Sequence, residues 1–383
     1  GNAQPQNSKS QLQGRVFGVG GDAEDNTVFT QYKKCSFGAQ DIQPATSGNG
    51  VQSGVVDVNA PIDIASCNIL GDCQDQIIAA TERQLGIRTG SLDSSNPPYD
   101  FVMFCMPDGS MFGEGGKTTW AAFAYTGDRT AFFQKGYCGV MTTNMHELGH
   151  LMGFGPSNED NTAYEDKSGA LGRSVGMIGG PNYCLNGHKF ALSGWMDERK
   201  KVISTSSTDR GGYVGRLVAF VDMKVDELVD DDKTLLEINT GNGTPSAYVV
   251  YNCKKSFNDG TREKGDLVTV VQQSEDRDIE SEMVGGLGAG QSVTIPGTSI
   301  VVEVCELDSE ATFDFAKVSI YDKSLGQSST CNVELNAPTA QPTAQPTAQP
   351  TAQPTMQPTD GPTDSPSTFP THFPTSLPTV GPS

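Results

Sequence analysis

The chain has 383 residues and a mass of 40.6 kDa, with 36% hydrophobic and 19% charged residues, enough apolar side chain to bury a sizeable core. Twenty-six Lys and Arg against 46 Asp and Glu leave a formal charge of −20 and a pI near 4.5, which repels phosphate backbones and argues against a nucleic-acid partner. The longest uncharged apolar stretches, such as Tyr248–Tyr251 and Val268–Val271, fall far short of the roughly 20 residues that span a bilayer, so no membrane span is expected.

The sequence starts at Gly1 without a Met or an apolar leader, as in a processed or truncated product. Residues 1–54 are rich in Gln, Asn and Gly and read as loops, either a propeptide remnant or part of the domain that follows. The segment CQDQIIAATERQLG at 73–86 sets Ile77, Ile78, Ala80, Thr81 and Leu85 on one side at helical spacing and stops at Gly86, which predicts a helix. Tyr99–Met106 reads as a buried strand, and a second helix is expected from about Thr142. Beyond Trp195 the runs Tyr213–Val221, Ala247–Tyr251, Leu267–Val271, Val293–Ile295 and Ile300–Val304 predict strands parted by Gly, Asn and Asp turns. The acidic run Asp230, Asp231, Asp232 fits a solvated turn better than a calcium site. Gly18–Gly21 and Gly285–Gly290 lack the Lys of a phosphate loop and read as loops.

From Pro338 to Pro382 a Pro recurs at every fourth position. Each one removes a backbone donor and fixes its own φ, so neither helix nor central strand can form there. An extended stalk follows, reaching on the order of 140 Å at about 3.1 Å per residue. Its Ser and Thr beside Pro suit O-glycosylation or an undecorated disordered tail; His372 lies within it. Asn242-Gly243-Thr244 has the glycosylation pattern, but Pro245 follows it directly. Nine Cys at wide spacing, with no Cys-x-x-Cys, fit disulfides in an oxidising compartment with one thiol left over, or buried free thiols.

The chemistry concentrates in TTNMHELGHLMGFG at 142–155. His146 and His150, four apart on a helix, lie one turn from each other and can direct ring nitrogens to one Zn2+. Glu147 can take a proton from zinc-bound water. Thr142 or Thr143 can cap the first turn, and Gly153 can take the positive φ that reverses the chain. The pattern begins as His-Glu-x-x-His-x-x-Gly-x-x-His, but Pro156 stands at the position of the third His. A catalytic zinc usually has three protein ligands. Asp160 or Glu159 could substitute, His188 could fold back, or the metal could be absent altogether. Tyr164 lies near the motif, as a structural residue or as a donor to the substrate carbonyl.

With these blocks in place the chain resembles the gametolysin family of zinc metallopeptidases, metzincin-like enzymes that algae secrete to cut cell-wall or matrix proteins. The resembling segments are YDFVMFCMPDG at 99–109, WAAFAYTG at 120–127, YCGVMTTNMHELGHLMGFG at 137–155, PSNEDNTAYEDKSGALG at 156–172 and CLNGHKFALSGW at 184–195, followed by YVVYNCKKSFNDGTREKGDLVTVV at 248–271. The resemblance implies His146 and His150 as zinc ligands, Glu147 as general base, and Leu171 where metzincins place a Met beneath the metal. The expected fold is α+β: an N-terminal segment 1–54, a catalytic domain 55–198 bearing the zinc-site helix, a β-rich domain 199–331 and a Pro/Thr stalk 332–383. The expected function is a secreted, possibly wall-associated zinc endopeptidase acting on extracellular or cell-wall protein. The alternative is an inactive homologue that binds wall proteins through the same cleft.

Overall fold

A computed structural model describes residues 4–19, 26–63, 72–92, 95–108, 121–173, 182–204, 212–241 and 243–334. Cys67, Trp120, Asn242, His372 and the Pro/Thr tail from 335 onward lie outside these residues, as do Gly20 and Gly21. In chain order the helices are α1 (Lys9–Leu12), α2 (Val28–Cys35), α3 (Asp72–Leu85), α4 (Met141–Leu151) and α5 (Gly187–Ser193). The strands are β1 (Val102–Cys105), β2 (Ala122–Ala124), β3 (Thr130–Phe133), β4 (Ser157–Asn158), β5 (Lys200–Ser204), β6 (Tyr213–Val218), β7 (Leu235–Asn239), β8 (Ala247–Asn252), β9 (Leu267–Gln273), β10 (Ser281–Leu287), β11 (Ser292–Thr294), β12 (Ile300–Ser309) and β13 (Asp314–Asp322). The mixture of helices and sheets is the α+β class read from the sequence. Among the described residues no helix is long and apolar enough to cross a membrane.

The first sheet has the order β1-β3-β2, with β1 parallel and β2 antiparallel to β3. β1 is shorter than the expected 99–106 because only Val102–Cys105 find partners in Thr130–Phe133. Phe104, Phe132 and Phe123 stand in register across the three strands, and their rings stack at 4.7 and 5.2 Å. Against this ring ladder packs α3 through Ile77 and Ile78. All five side chains placed on its inner face are buried, and Gly86 ends it at φ 71. On the opposite face, Ala122, Ala131 and Phe133 meet α4 through Met141, Met145 and Leu148.

The second sheet, β4-β10-β9-β8-β7-β5, is a middle layer. Successive side chains of a strand point to opposite faces, and both faces here are covered. On β8, Ala247, Val249 and Tyr251 join a core shared with Leu217, Val302, Val318 and Ile320 of the third sheet, β11-β12-β13-β6. Tyr248 and Val250 join the core that holds α4 and Phe190 of α5. This explains why every residue of β8 is buried, as a two-sided strand requires.

Residues 1–54 depart from the loop expectation. Val28, Gln31, Tyr32 and Cys35 are buried on one face of α2, the Tyr32 hydroxyl donates to the Met145 carbonyl at 2.6 Å, and Cys35 is bonded to Cys184. Cys105–Cys138 and Cys305–Cys331 are further disulfides, Cys73 is also disulfide-bonded, and Cys253 is a buried free thiol. Gly285 and Gly286, expected in a loop, lie in β10 and pair with Val270 and Thr269 across a bulge after Met283. In the acidic run, Asp230 and Asp231 are exposed, but Asp232 is buried and bidentate to Arg216 at 2.6 and 2.7 Å.

The Cys35–Cys184 bond closes a separation of 149 residues and joins α2 to the turn before α5. Replacing both cysteines by Ser is expected to lower the unfolding free energy by about 2–5 kcal/mol, read from urea denaturation. An unchanged stability would show that apolar packing alone holds α2.

Candidate functional site

Helix α4 is buried along its whole length, so its position is set by tertiary packing rather than by propensity. It begins at Met141, ahead of the expected caps Thr142 and Thr143, with Val140 at the cap position and no side-chain cap. The Asn144 amide instead donates to the carbonyls of Cys138 at 2.8 Å and Val140 at 3.0 Å. At the other end Gly153 takes φ 92 and its N–H reaches the His150 carbonyl at 2.9 Å, the reversal the sequence suggested.

That reversal brings the Phe154 carbonyl back to His150 Nδ1 at 2.7 Å. The Ala170 carbonyl meets His146 Nδ1 at 2.9 Å. A carbonyl can only accept, so both Nδ1 atoms carry the proton and both Nε2 atoms present lone pairs. The two Nε2 atoms lie 3.1 Å apart, with ring planes at 90°. Facing lone pairs repel unless a proton or a cation sits between them. A metal at about 2.05 Å from each nitrogen would see them at roughly 100°, within the range of tetrahedral zinc. Burial, reinforced by the neighbouring imidazole, pulls the His146 pKa down to about 3; burial also lowers that of His150. Both rings are thereby kept neutral, as a metal ligand must be. The pair fits two positions of a zinc site, while among the described residues no group of three His, Cys, Asp or Glu completes one.

Glu147 is 5% exposed and its carboxylate makes no hydrogen bond among the described residues. Desolvation pushes its pKa up to about 8. Tyr164, held at φ 65, a region that costs a non-glycine residue about 1–3 kcal/mol, lays its ring 5.3 Å from that of His146 and 6.0 Å from that of His150. Below the helix, Leu171 fills the space beside Gly149: a Cβ there would come within 2.9 Å of Leu171 Cδ2. The turn 169–172 therefore supports the histidine pair from beneath through both Leu171 and the Ala170 carbonyl.

The third-donor candidates are not brought to the pair. Glu159 is taken by Lys264 at 2.9 Å. Asp160 sits in a positive-φ turn, exposed. His188 is buried against Tyr248, with its Nδ1 3.2 Å from Lys189 Nζ. Pro156 has its carbonyl engaged by the Ser281 N–H at 3.2 Å and by Lys189 Nζ at 3.3 Å.

Sequence reasoning missed Lys189. Its ammonium is fully buried and also donates to the Ile279 carbonyl at 2.7 Å and Ser281 Oγ at 3.4 Å. Burial pulls its pKa down to about 7. No local pattern in LNGHKF could have announced it, because the carbonyls that satisfy this cation come from two distant segments.

Gly149→Ala is expected to cost about 1–3 kcal/mol through overpacking against Leu171, partly offset by about 1 kcal/mol of helix propensity. In a Leu171→Ala background the same change should become stabilising. Thermal unfolding of the four proteins in the cycle checks this sign reversal, and additive effects would show that the two side chains do not compete for one space.

Comparison with known proteins places the chain in a family. Helix α4, the turn beneath it and strands β1, β2 and β3 lie inside residues 4–260, the part of the chain that matches the family described as gametolysin peptidase M11. Residues 335–383 match a family described as a PT disordered repeat. No curated protein and no solved structure matches the chain. The matched segment covers more than half of the 383 residues, and the chain belongs to the gametolysin family of metallopeptidases, with a Pro/Thr repeat at its C-terminus.

Proposed function

We propose that the protein is a secreted zinc endopeptidase that cuts extracellular or cell-wall polypeptides, with His146 and His150 as metal ligands and Glu147 as general base. The observation that carries this reading is the convergence of two Nε2 lone pairs at 3.1 Å, each imidazole oriented by a backbone carbonyl on its other nitrogen, beside a buried carboxylate with no hydrogen-bond partner among the described residues. Carbonyl bonds on Nδ1 are the outer shell that fixes a ligand's tautomer and ring plane. A bound zinc would supply a water of lowered pKa and polarise the scissile carbonyl.

Glu147 adjoins the first ligand in sequence and is free to accept the proton of the attacking water and hand it to the leaving amine. Its raised pKa reflects burial without a cation, and a dication nearby would favour the carboxylate, the form a base needs. The disulfides, among them Cys35–Cys184, Cys105–Cys138 and Cys305–Cys331, fit an oxidising, extracellular compartment. The Pro/Thr repeat would extend or tether the folded part at a wall.

A second reading is favoured by Pro156 and by the lack of a completed three-donor group among the described residues: a catalytically silent relative that binds wall polypeptides in the same cleft. Glu147→Gln separates the two. For the enzyme, cleavage of casein or gelatin should fall by about 10²–10⁴-fold, zinc content should stay at one per chain, and a chelator should abolish parental activity. Stable retention of uncut polypeptide, unaffected by Glu147→Gln and by chelation, would establish the binder.

A further inference from the structure

The turn that carries Pro156 lies beside a glutamate from a remote part of the chain. Two backbone bonds clamp the turn after α4 to the start of β10: Gly155 N–H to the Ile279 carbonyl at 3.0 Å, and Ser281 N–H to the Pro156 carbonyl at 3.2 Å. The residue bracketed by these bonds is Glu280. Its side-chain stem lies directly over Gly155, where a Cβ would come within 2.8 Å of Glu280 Cγ. Lys189 fastens the same junction by donating to both the Pro156 and Ile279 carbonyls. β4 and β10 then run on in parallel, with Ser281 beside Ser157 and Glu282 beside Asn158. Glu280 thus stands one residue from the place where the motif's third ligand would be, on a backbone held by three hydrogen-bonding groups.

Glu280 also touches the segment that follows the motif, through the Asn158 amide. The side chain is 15% exposed, and its carboxylate is held loosely: Oε1 lies 3.1 Å from Arg277, whose side chain is 70% exposed, and Oε2 accepts from Asn158 at 3.3 Å. An ion pair with so exposed a cation is weak, so a dication could draw the carboxylate away. Of the other acidic groups nearby, Glu159 is committed to Lys264 and Glu282 to the Asn161 N–H, while Asp160 lies exposed in its turn.

We propose that Glu280 supplies the third protein donor to the metal held by His146 and His150, turning from Arg277 and Asn158 when the metal binds. Two imidazoles and one carboxylate form a donor set that catalytic zinc uses. The proposal rests on the zinc reading above. It also assigns part of the metal site to a residue beyond the family-matched segment 4–260.

The test is zinc affinity of the full chain, measured by competition with a chromophoric chelator, together with the visible spectrum of the cobalt(II) form. Near-UV circular dichroism verifies folding. Glu280→Ala and the isosteric Glu280→Gln should each lose at least about a hundredfold in zinc affinity, beyond the 10–100-fold typical of an outer-shell partner, and should alter the cobalt spectrum. Arg277→Ala removes the competing cation and should bind zinc at least as tightly as the parent. If His146→Ala loses zinc while both Glu280 variants bind like the parent, Glu280 is not a ligand and the zinc reading stands. If Arg277→Ala weakens binding as much as Glu280→Gln, the pair acts structurally and the assignment fails. A parent chain that takes up no zinc overturns both readings.

Discussion

Two hydrogen bonds, from His146 Nδ1 to the Ala170 carbonyl and from His150 Nδ1 to the Phe154 carbonyl, decide what the rest of this structure can do. They fix each tautomer and ring plane, and they leave two unprotonated nitrogens aimed at one point. Neither carbonyl belongs to α4 itself. The Phe154 carbonyl arrives because Gly153 reverses the chain at positive φ, and the Ala170 carbonyl arrives because Leu171 inserts beside a helix residue with no side chain, Gly149. A flanking turn and a glycine thus convert a helical spacing into a directed pair.

The burial of α4 makes this arrangement rigid. The three-stranded sheet covers one side, α2 binds the Met145 carbonyl through Tyr32, and two disulfides anchor the neighbouring segments, one at Cys138 just before the helix and one at Cys35 on α2. Rigid placement matters because ligand geometry tolerates errors of only about 0.5 Å. The same burial keeps solvent from Glu147, and among the described residues its carboxyl group has no hydrogen-bond partner.

The middle sheet couples the histidine helix to the C-terminal half of the chain. Through β4 and β10 it joins the turn after His150 to residues more than a hundred positions later. The buried Lys189 secures the junction with backbone carbonyls rather than with a carboxylate. A buried ammonium is costly unless hydrogen-bonded, and here four groups approach it: two carbonyls, a hydroxyl and the His188 ring. Removing any of the segments that meet there would leave this cation unsatisfied.

The helix pair α3 and α4, most of the later strands and the His-Glu-x-x-His constellation were legible in the sequence, because each rests on short-range periodicity or on a fixed i, i+4 spacing. The helix α2 went unread: Val28, Gln31, Tyr32 and Cys35 stand at positions i, i+3, i+4 and i+7 with Thr27 as cap, but a polar composition masked that pattern as loop. Strand β10 escaped notice because its two glycines mimic a loop, and pairing with β9 across a bulge is a non-local decision. What the sequence by itself determined was the spacing of His146 and His150 one helical turn apart, Glu147 next to the first of them, and Pro156 where the pattern would continue with a histidine. Only the tertiary structure decided which carbonyls orient the imidazoles, that Glu159 and His188 are engaged elsewhere, and that Glu280 stands beside the vacated position. Such neighbours are set by strand pairing and core burial over long chain separations, and no local pattern encodes them.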